Sequence, residues 1–263
     1  MKLKNLILLL ILMFTCIVNS YSDLKKKPVV GLEEQLDKTI PMNLRFVNST
    51  GDTLSLDSII NKPTVLALVY YHCPNICTPL LNGLSETIDK MDMEAGKEYQ
   101  IITLSFDQNE TAADAYKWKN NYLAGLEKKI PKDAWQFMVG DSASIRALTD
   151  AVGFYFMRDT ADDFIHTSTV IVLSPKGVIS RYLFGTTFLP FDLKMALIEA
   201  SEGKSSPTIN KVLQFCYSYD ADGKKYVFNF TKVAGGILLL FVVVFISILL
   251  VKGRKNNIAG QEK

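Results

Sequence analysis

Hydrophobic and polar positions change their period several times along this chain, and each change marks an element. Leu6 to Val18 is an apolar run behind Lys2 and Lys4, and Val233 to Val251 is nineteen residues without a charge. Between these ends the pattern is that of a folded domain. Arg45–Val47 and Thr53–Leu56 flank the polar stretch Asn48-Ser-Thr-Gly-Asp52, which predicts a hairpin. Thr64–Tyr71 (TVLALVYY) is continuously apolar, as expected of a strand buried on both faces, and Pro79–Met93 has the spacing of an amphipathic helix. Gln100–Phe106 reads as a second buried strand, Thr111–Leu123 as a helix and Trp135–Val139 as a third strand. Asp141 is placed to cap a helix over Ser142–Val152, which Gly153 stops. Thr167–Leu173 and Val178–Phe184 read as strands joined across Ser174-Pro-Lys-Gly177, and Phe191–Ala200 as a closing helix.

The order β-α-β-α-β-α-β-β-α predicts an α/β sheet covered on both faces. The compact architecture that fits is thioredoxin-like, with a central mixed sheet flanked by helices. Beyond Gly203 the composition changes. Lys-Ser-Ser-Pro207 reads as a linker, and Cys216 to Phe230 as a small hairpin around Asp222-Gly223, with Tyr and Phe residues suited to a membrane interface.

The two ends predict a topology. The first has the parts of an export signal: a basic start, an apolar centre, and small residues at Ser20 and Ser22 that suit cleavage before Asp23. Cys16 raises lipidation as an alternative, against which stand the bulkier Phe14 and Thr15 just before it. Val233–Val251, as a helix, covers about 28 Å, which matches a hydrocarbon core of about 30 Å. Lys252, Arg254 and Lys255 follow at once, and such a cation cluster stays in the cytoplasm, which places the rest of the chain outside it. The expected organisation is a signal peptide (1–22), a tether (23–38), the thioredoxin-like domain (39–203), a linker with a membrane-proximal hairpin (204–232), a C-terminal transmembrane helix (233–251) and a cytoplasmic tail (252–263). The expected location is a bacterial cytoplasmic membrane, single-pass, with the domain on the extracytoplasmic side.

Composition changes the picture at one point. The chain has 263 residues, of which 48% are hydrophobic, and a formal net charge of +2. That sign comes from the ends: without Lys2, Lys4, Lys252, Arg254, Lys255, Lys263 and Glu262, 23 Lys+Arg face 26 Asp+Glu, a net −3. A domain without basic excess lacks the electrostatic attraction that dominates nucleic-acid affinity, so nucleic-acid binding is excluded.

The candidate chemistry lies in Cys73-Pro-Asn-Ile-Cys77, which follows a buried strand and opens a helix. Backbone N–H groups and the helix dipole stabilise thiolates there. Residues four apart share a helical face, so the two sulfurs can form a disulfide, serve as a redox pair, or clamp a metal completed by a distant ligand. The chain has two histidines. His166, just before a strand expected beside the one ending at Tyr71, is the candidate third ligand. Two thiolates and an imidazole form a soft, low-coordinate site that suits Cu(I), tolerates Cu(II), and lacks the fourth ligand of a closed structural zinc site. His72 is expected to face away from the site and to act through its neighbours. Cys216 reads as a bystander. Peroxidase chemistry finds no nominated arginine among Arg146, Arg158 and Arg181, and Asp159-Thr-Ala-Asp162-Asp163 lacks the spacing of a calcium loop.

Two stretches, Tyr70-Tyr-His-Cys-Pro-Asn-Ile-Cys77 and Ile165-His166-Thr-Ser-Thr-Val-Ile-Val-Leu-Ser-Pro-Lys-Gly177, resemble the Sco/SenC copper-binding proteins. The resemblance covers Leu44 to Gly203, including the region of Asp107. It implies a thioredoxin-like fold, copper ligands Cys73, Cys77 and His166, and a partnership with subunit II of cytochrome c oxidase, loaded in turn by a copper donor protein. The task implied is delivery of copper to the binuclear CuA centre, or reduction of its cysteines. The chain departs from the family pattern at Asn75, where aspartate is common, at Thr78-Pro79, where proline comes at once, and at Ile165, where an acidic residue often precedes the histidine. A thiol-disulfide oxidoreductase and a redox or copper sensor are the alternatives.

Overall fold

A computed structural model describes residues 30–159, 163–206, 217–220 and 225–228, and the single positions 235, 241, 242 and 245. The strands are β1 (Gly31–Leu32), β2 (Arg45–Asn48), β3 (Thr53–Ser55), β4 (Thr64–Val69), β5 (Gln100–Ser105), β6 (Trp135–Val139), β7 (Phe154–Tyr155), β8 (Met157–Arg158), β9 (Phe164–Ile165), β10 (Thr169–Leu173), β11 (Ile179–Phe184), β12 (Tyr217–Asp220) and β13 (Lys225–Phe228). The helices are α1 (Leu56–Ile59), α2 (Cys77–Lys90), α3 (Ala112–Gly125), α4 (Ser142–Ala151) and α5 (Pro190–Ser201).

Seven strands form one mixed sheet in the order β11-β10-β4-β5-β6-β2-β3. β4, β5 and β6 run parallel, whereas β10 runs antiparallel to β4 and β2 antiparallel to β6. All six residues of β4 are buried, as its unbroken apolar run requires of a central strand. On its flank β5 carries Thr103, whose hydroxyl accepts the indole N–H of the buried Trp135 at 2.8 Å. Tyr71 donates its hydroxyl to Met138 O at 2.9 Å and so ties the end of β4 across to β6. The fold is α/β and thioredoxin-like, with helices packed against the mixed sheet.

Local signals act as the residues predict at several ends. Asp141 accepts Ser144 N–H at 2.9 Å and starts α4, and Gly153, at φ +65°, ends it. A side chain at Gly153 would also lie 1.9 Å from Glu33 O. Thr111 and Asp114 form a reciprocal capping box on α3.

Two differences from the sequence reading concern short pieces. The stretch 23–38, expected as a tether, contributes β1, which pairs antiparallel with β7, and Glu33 donates its backbone N–H to Gly153 O at 2.9 Å. Between α4 and β10 the chain forms the small ladder β8–β9, with Met157 opposite Ile165 and Arg158 opposite Phe164. Two-residue strands carry no period, so neither was predictable from pattern. β12 and β13 pair antiparallel, Tyr217 opposite Phe228 and Asp220 opposite Lys225.

Among the described residues, no helix is long and apolar enough to cross a membrane. Of the apolar stretch 233–251, only Gly235, Phe241, Val242 and Phe245 are described, each in helical conformation. The expected signal peptide with Cys16, the position of Cys216 and the tail 252–263 lie outside the described residues.

Candidate metal and redox centre

The site lies at the carboxyl end of β4, the end at which the crevices of α/β sheets form. After Val69 the chain passes through Tyr70 and Tyr71, then Cys73, and enters α2 at Cys77. This helix begins two residues before the expected Pro79. No side-chain oxygen caps it; instead Cys77 donates its backbone N–H to Cys73 Sγ at 3.4 Å. The first sulfur thus accepts one of the donors that a helix start leaves unpaired.

His166 reaches the same place from the other direction. β10 is antiparallel to β4, with Val170 opposite Ala67 and Leu173 opposite Thr64, so the residues that precede Thr169 stand over the end of β4. One ligand atom from each of Cys73, Cys77 and His166 lies within 4.8 Å of the others. Cys77 Sγ is 3.9 Å from His166 Nε2. The three residues singled out in the sequence are therefore brought together.

Orientation of the imidazole follows from its other nitrogen. Nδ1 is 2.9 Å from Thr167 O. A carbonyl oxygen only accepts, so Nδ1 carries the proton and Nε2 presents its lone pair toward the sulfurs. The ring is packed among Phe106, Tyr70 and Phe154, at centroid distances of 5.0, 5.8 and 6.1 Å. This aromatic wall limits rotation of the imidazole.

The two sulfurs differ. Cys77 is 1% exposed, whereas Cys73 is half-buried and lines a cleft of about 480 Å³ together with Tyr70, Ile76, Ile165, His166 and Phe184. A hydrogen bond from the Cys77 thiol, opposed by burial and joined by the Cys77 backbone N–H, lowers the pKa of Cys73 to about 3. Burial and the neighbouring Cys73 sulfur push Cys77 up. A single proton shared within the pair leaves it on Cys77 and the negative charge on Cys73, the sulfur open to the cleft.

His72 points elsewhere. Its Nδ1 lies 2.9 Å from Glu110 Oε1 and its Nε2 3.7 Å from Asp114 Oδ1, and its side chain is 67% exposed. Several contributors were not singled out from sequence. Tyr70, at the end of β4, is buried and donates its hydroxyl to Asp163 Oδ1 at 2.5 Å. Burial, then Asp163 and Cys73, push its pKa up. Asp163 sits two residues before Ile165, so an acidic group reaches the site through Tyr70 although none directly precedes His166. Arg158 pairs with Asp107 at 3.0 Å and lies over the Phe164 ring at 4.3 Å.

The model of the SCO1/SenC family matches residues 33–190. A crystal structure of a candidate electron transfer protein from Aquifex aeolicus is 30% identical, with a TM-score of 0.57, covering 65% of this chain and 96% of that one. The crystal structure of Arabidopsis thaliana ScoI with copper bound shares the fold at 17% identity, with a TM-score of 0.51, covering 61% of this chain and 96% of that one. The mitochondrial SCO1 homolog 1 of Arabidopsis thaliana is 21% identical over 135 residues, which span 50% of this chain and 38% of that protein. With more than half of its length matched by the family model, this chain belongs to the SCO1/SenC family.

Proposed function

We propose that the protein is a copper carrier that serves the assembly of cytochrome c oxidase, delivering copper to the CuA site of subunit II after a donor protein has loaded it. The observation that carries this reading is the convergence of two sulfurs and one imidazole nitrogen within 4.8 Å. Three donors that bond a common ion at about 2.0–2.3 Å in a trigonal plane lie roughly 3.8 Å apart, close to the 3.9 Å between Cys77 Sγ and His166 Nε2. Soft thiolates favour Cu(I), and an imidazole as the third donor also accommodates Cu(II). An open coordination position lets an acceptor's ligands replace those of the carrier one at a time.

The wider reading places the domain outside a bacterial cytoplasmic membrane. The export-like first 22 residues and the apolar stretch 233–251 with the cations behind it support that placement. The domain organisation expected from sequence is part of the same proposal.

A second reading has one specific observation behind it, the unequal exposure and charge of the two sulfurs. As a thiol-disulfide reductase, the Cys73 thiolate attacks one sulfur of an acceptor disulfide and releases the other as a thiolate. Cys77, giving up its proton, then attacks Cys73 and frees the second acceptor sulfur. The acceptor gains two electrons from the pair, one proton from Cys77 and a second proton from solvent, and Cys73–Cys77 becomes the disulfide.

Titration with Cu(I) tests the carrier reading. The reduced protein is expected to bind about one equivalent, with retention weakened far more by His166→Ala than by His72→Ala. Equal effects contradict it.

A further inference from the structure

The cysteine loop and the histidine hairpin come from segments far apart in sequence, and one short turn touches both. Asp107–Glu110 follows β5 and lies beside the end of β4. Glu110 is 6% exposed. Its Oε2 accepts Tyr71 N–H at 2.7 Å and the Ser105 hydroxyl at 2.5 Å. Its Oε1 accepts His72 N–H at 2.7 Å. Both backbone groups directly ahead of Cys73 are therefore held by a single carboxylate. Three residues earlier, Asp107, 9% exposed, takes the Arg158 guanidinium at 3.0 Å. Arg158 belongs to β8, which pairs with β9, and His166 follows β9 directly. Asp107 is itself fixed, since its backbone N–H is donated to the Ser105 hydroxyl at 3.0 Å.

We propose that Glu110 and Asp107 are positioning residues, two arms of one bracket that holds Cys73 and His166 in common register. Glu110 fixes the approach of Cys73 to Cys77, which is anchored separately on α2. Asp107, through Arg158, fixes the hairpin that delivers His166. A buried carboxylate carries a large desolvation cost, and here it is offset by charge-assisted bonds to the backbone that no neutral side chain of the same shape reproduces. The inference deepens the copper-site reading and rests on it for the part concerning His166.

The test uses the full chain and two readouts that separate the arms. The first is the equilibrium of the Cys73–Cys77 disulfide with glutathione, measured without metal. That constant reports how well the fold holds one sulfur to the other, because an oriented pair reacts as though at high local concentration. Glu110→Ala is expected to make the disulfide easier to reduce by about tenfold, with Glu110→Gln, which keeps one acceptor oxygen, in between. The second is the nuclear Overhauser contact between the His166 and Phe106 rings in the reduced, metal-free protein. Arg158→Ala and Asp107→Asn are expected to weaken it while contacts of Trp135 persist.

A residue that only stabilised the fold would lower the melting temperature without moving either readout at 25 °C, and that result overturns the proposal. So does an unchanged disulfide equilibrium in Glu110→Gln. If Glu110→Ala fails to fold, Glu110→Gln and Ser105→Ala decide. Copper titration of the wild type is run alongside: its failure to bind would remove the carrier reading, while the thiol equilibrium and the ring contact still judge the bracket.

Discussion

His166 Nε2 lies 3.9 Å from Cys77 Sγ although the two residues are separated by 89 positions in the chain. The proximity has one topological cause. β4 delivers the cysteines at its carboxyl end, and β10, running the opposite way alongside it, begins at that same end. Any α/β domain with this strand pairing brings the residue before the antiparallel strand to the helix start, and here those residues are two thiols and an imidazole.

The charge on the pair predicts a pH profile. With its pKa lowered to about 3, Cys73 is a thiolate in the reduced, metal-free protein throughout the neutral and mildly acidic range. Its pKa is depressed, so the reactive form is gained on raising the pH through that value and kept above it. Iodoacetamide is expected to label Cys73 at a nearly constant rate from pH 8 to about 5, whereas an ordinary thiol loses about tenfold per unit below its pKa of about 8.5. A tenfold fall between pH 7 and pH 6, followed by mass spectrometry of the labelled peptide, contradicts this.

Burial predicts selectivity between the sulfurs. Cys77 is 1% exposed, and burial pushes its thiol up. Limited alkylation of the folded protein is expected to modify Cys73 and spare Cys77. In a reductase assay Cys77→Ser is expected to trap a mixed disulfide on Cys73, while Cys73→Ser gives none. Trapping on Cys77 would reverse the assignment.

The Tyr70 hydroxyl predicts a measurable contribution to the fold. Tyr70→Phe removes the hydrogen bond to Asp163. A buried bond to a charged group contributes about 1.5–3 kcal/mol, so urea unfolding is expected to show a loss in that range. An unchanged midpoint would mean that Asp163 finds another donor.

Gly83 predicts a steric limit on α2. A Cβ there would lie 1.9 Å from Thr186 O in the loop after β11. The same loop is held by Thr87, whose hydroxyl is 3.0 Å from Phe188 O, and it carries Gly185, which lines the cleft. Gly83→Ala is expected to cost about 1–3 kcal/mol, because the obstacle is backbone and not a movable side chain. Calorimetry with no shift in melting temperature contradicts this.

Much of the sheet was legible. The strand Trp135–Val139 has the predicted bounds, and α4 starts at the predicted Asp141 cap, because aromatic or β-branched runs and caps are local signals. α2 starts two residues ahead of the expected Pro79 because its capping atom is a sulfur, outside the usual set of oxygen caps. The ladder β8–β9 leaves no mark in the sequence because two residues show no alternation. Nothing in the sequence singles out Glu110. It is buried because Tyr71 and His72 turn their N–H groups inward where the sheet no longer pairs them, a demand that only the assembled structure makes visible.

X-ray absorption at the copper edge, on the chain loaded with one equivalent of copper, tests the central claim most directly. A shell of two sulfurs and one imidazole nitrogen is predicted, with the nitrogen lost in His166→Ala and kept in His72→Ala. A shell with one sulfur, or an imidazole contribution that survives His166→Ala, would contradict the account.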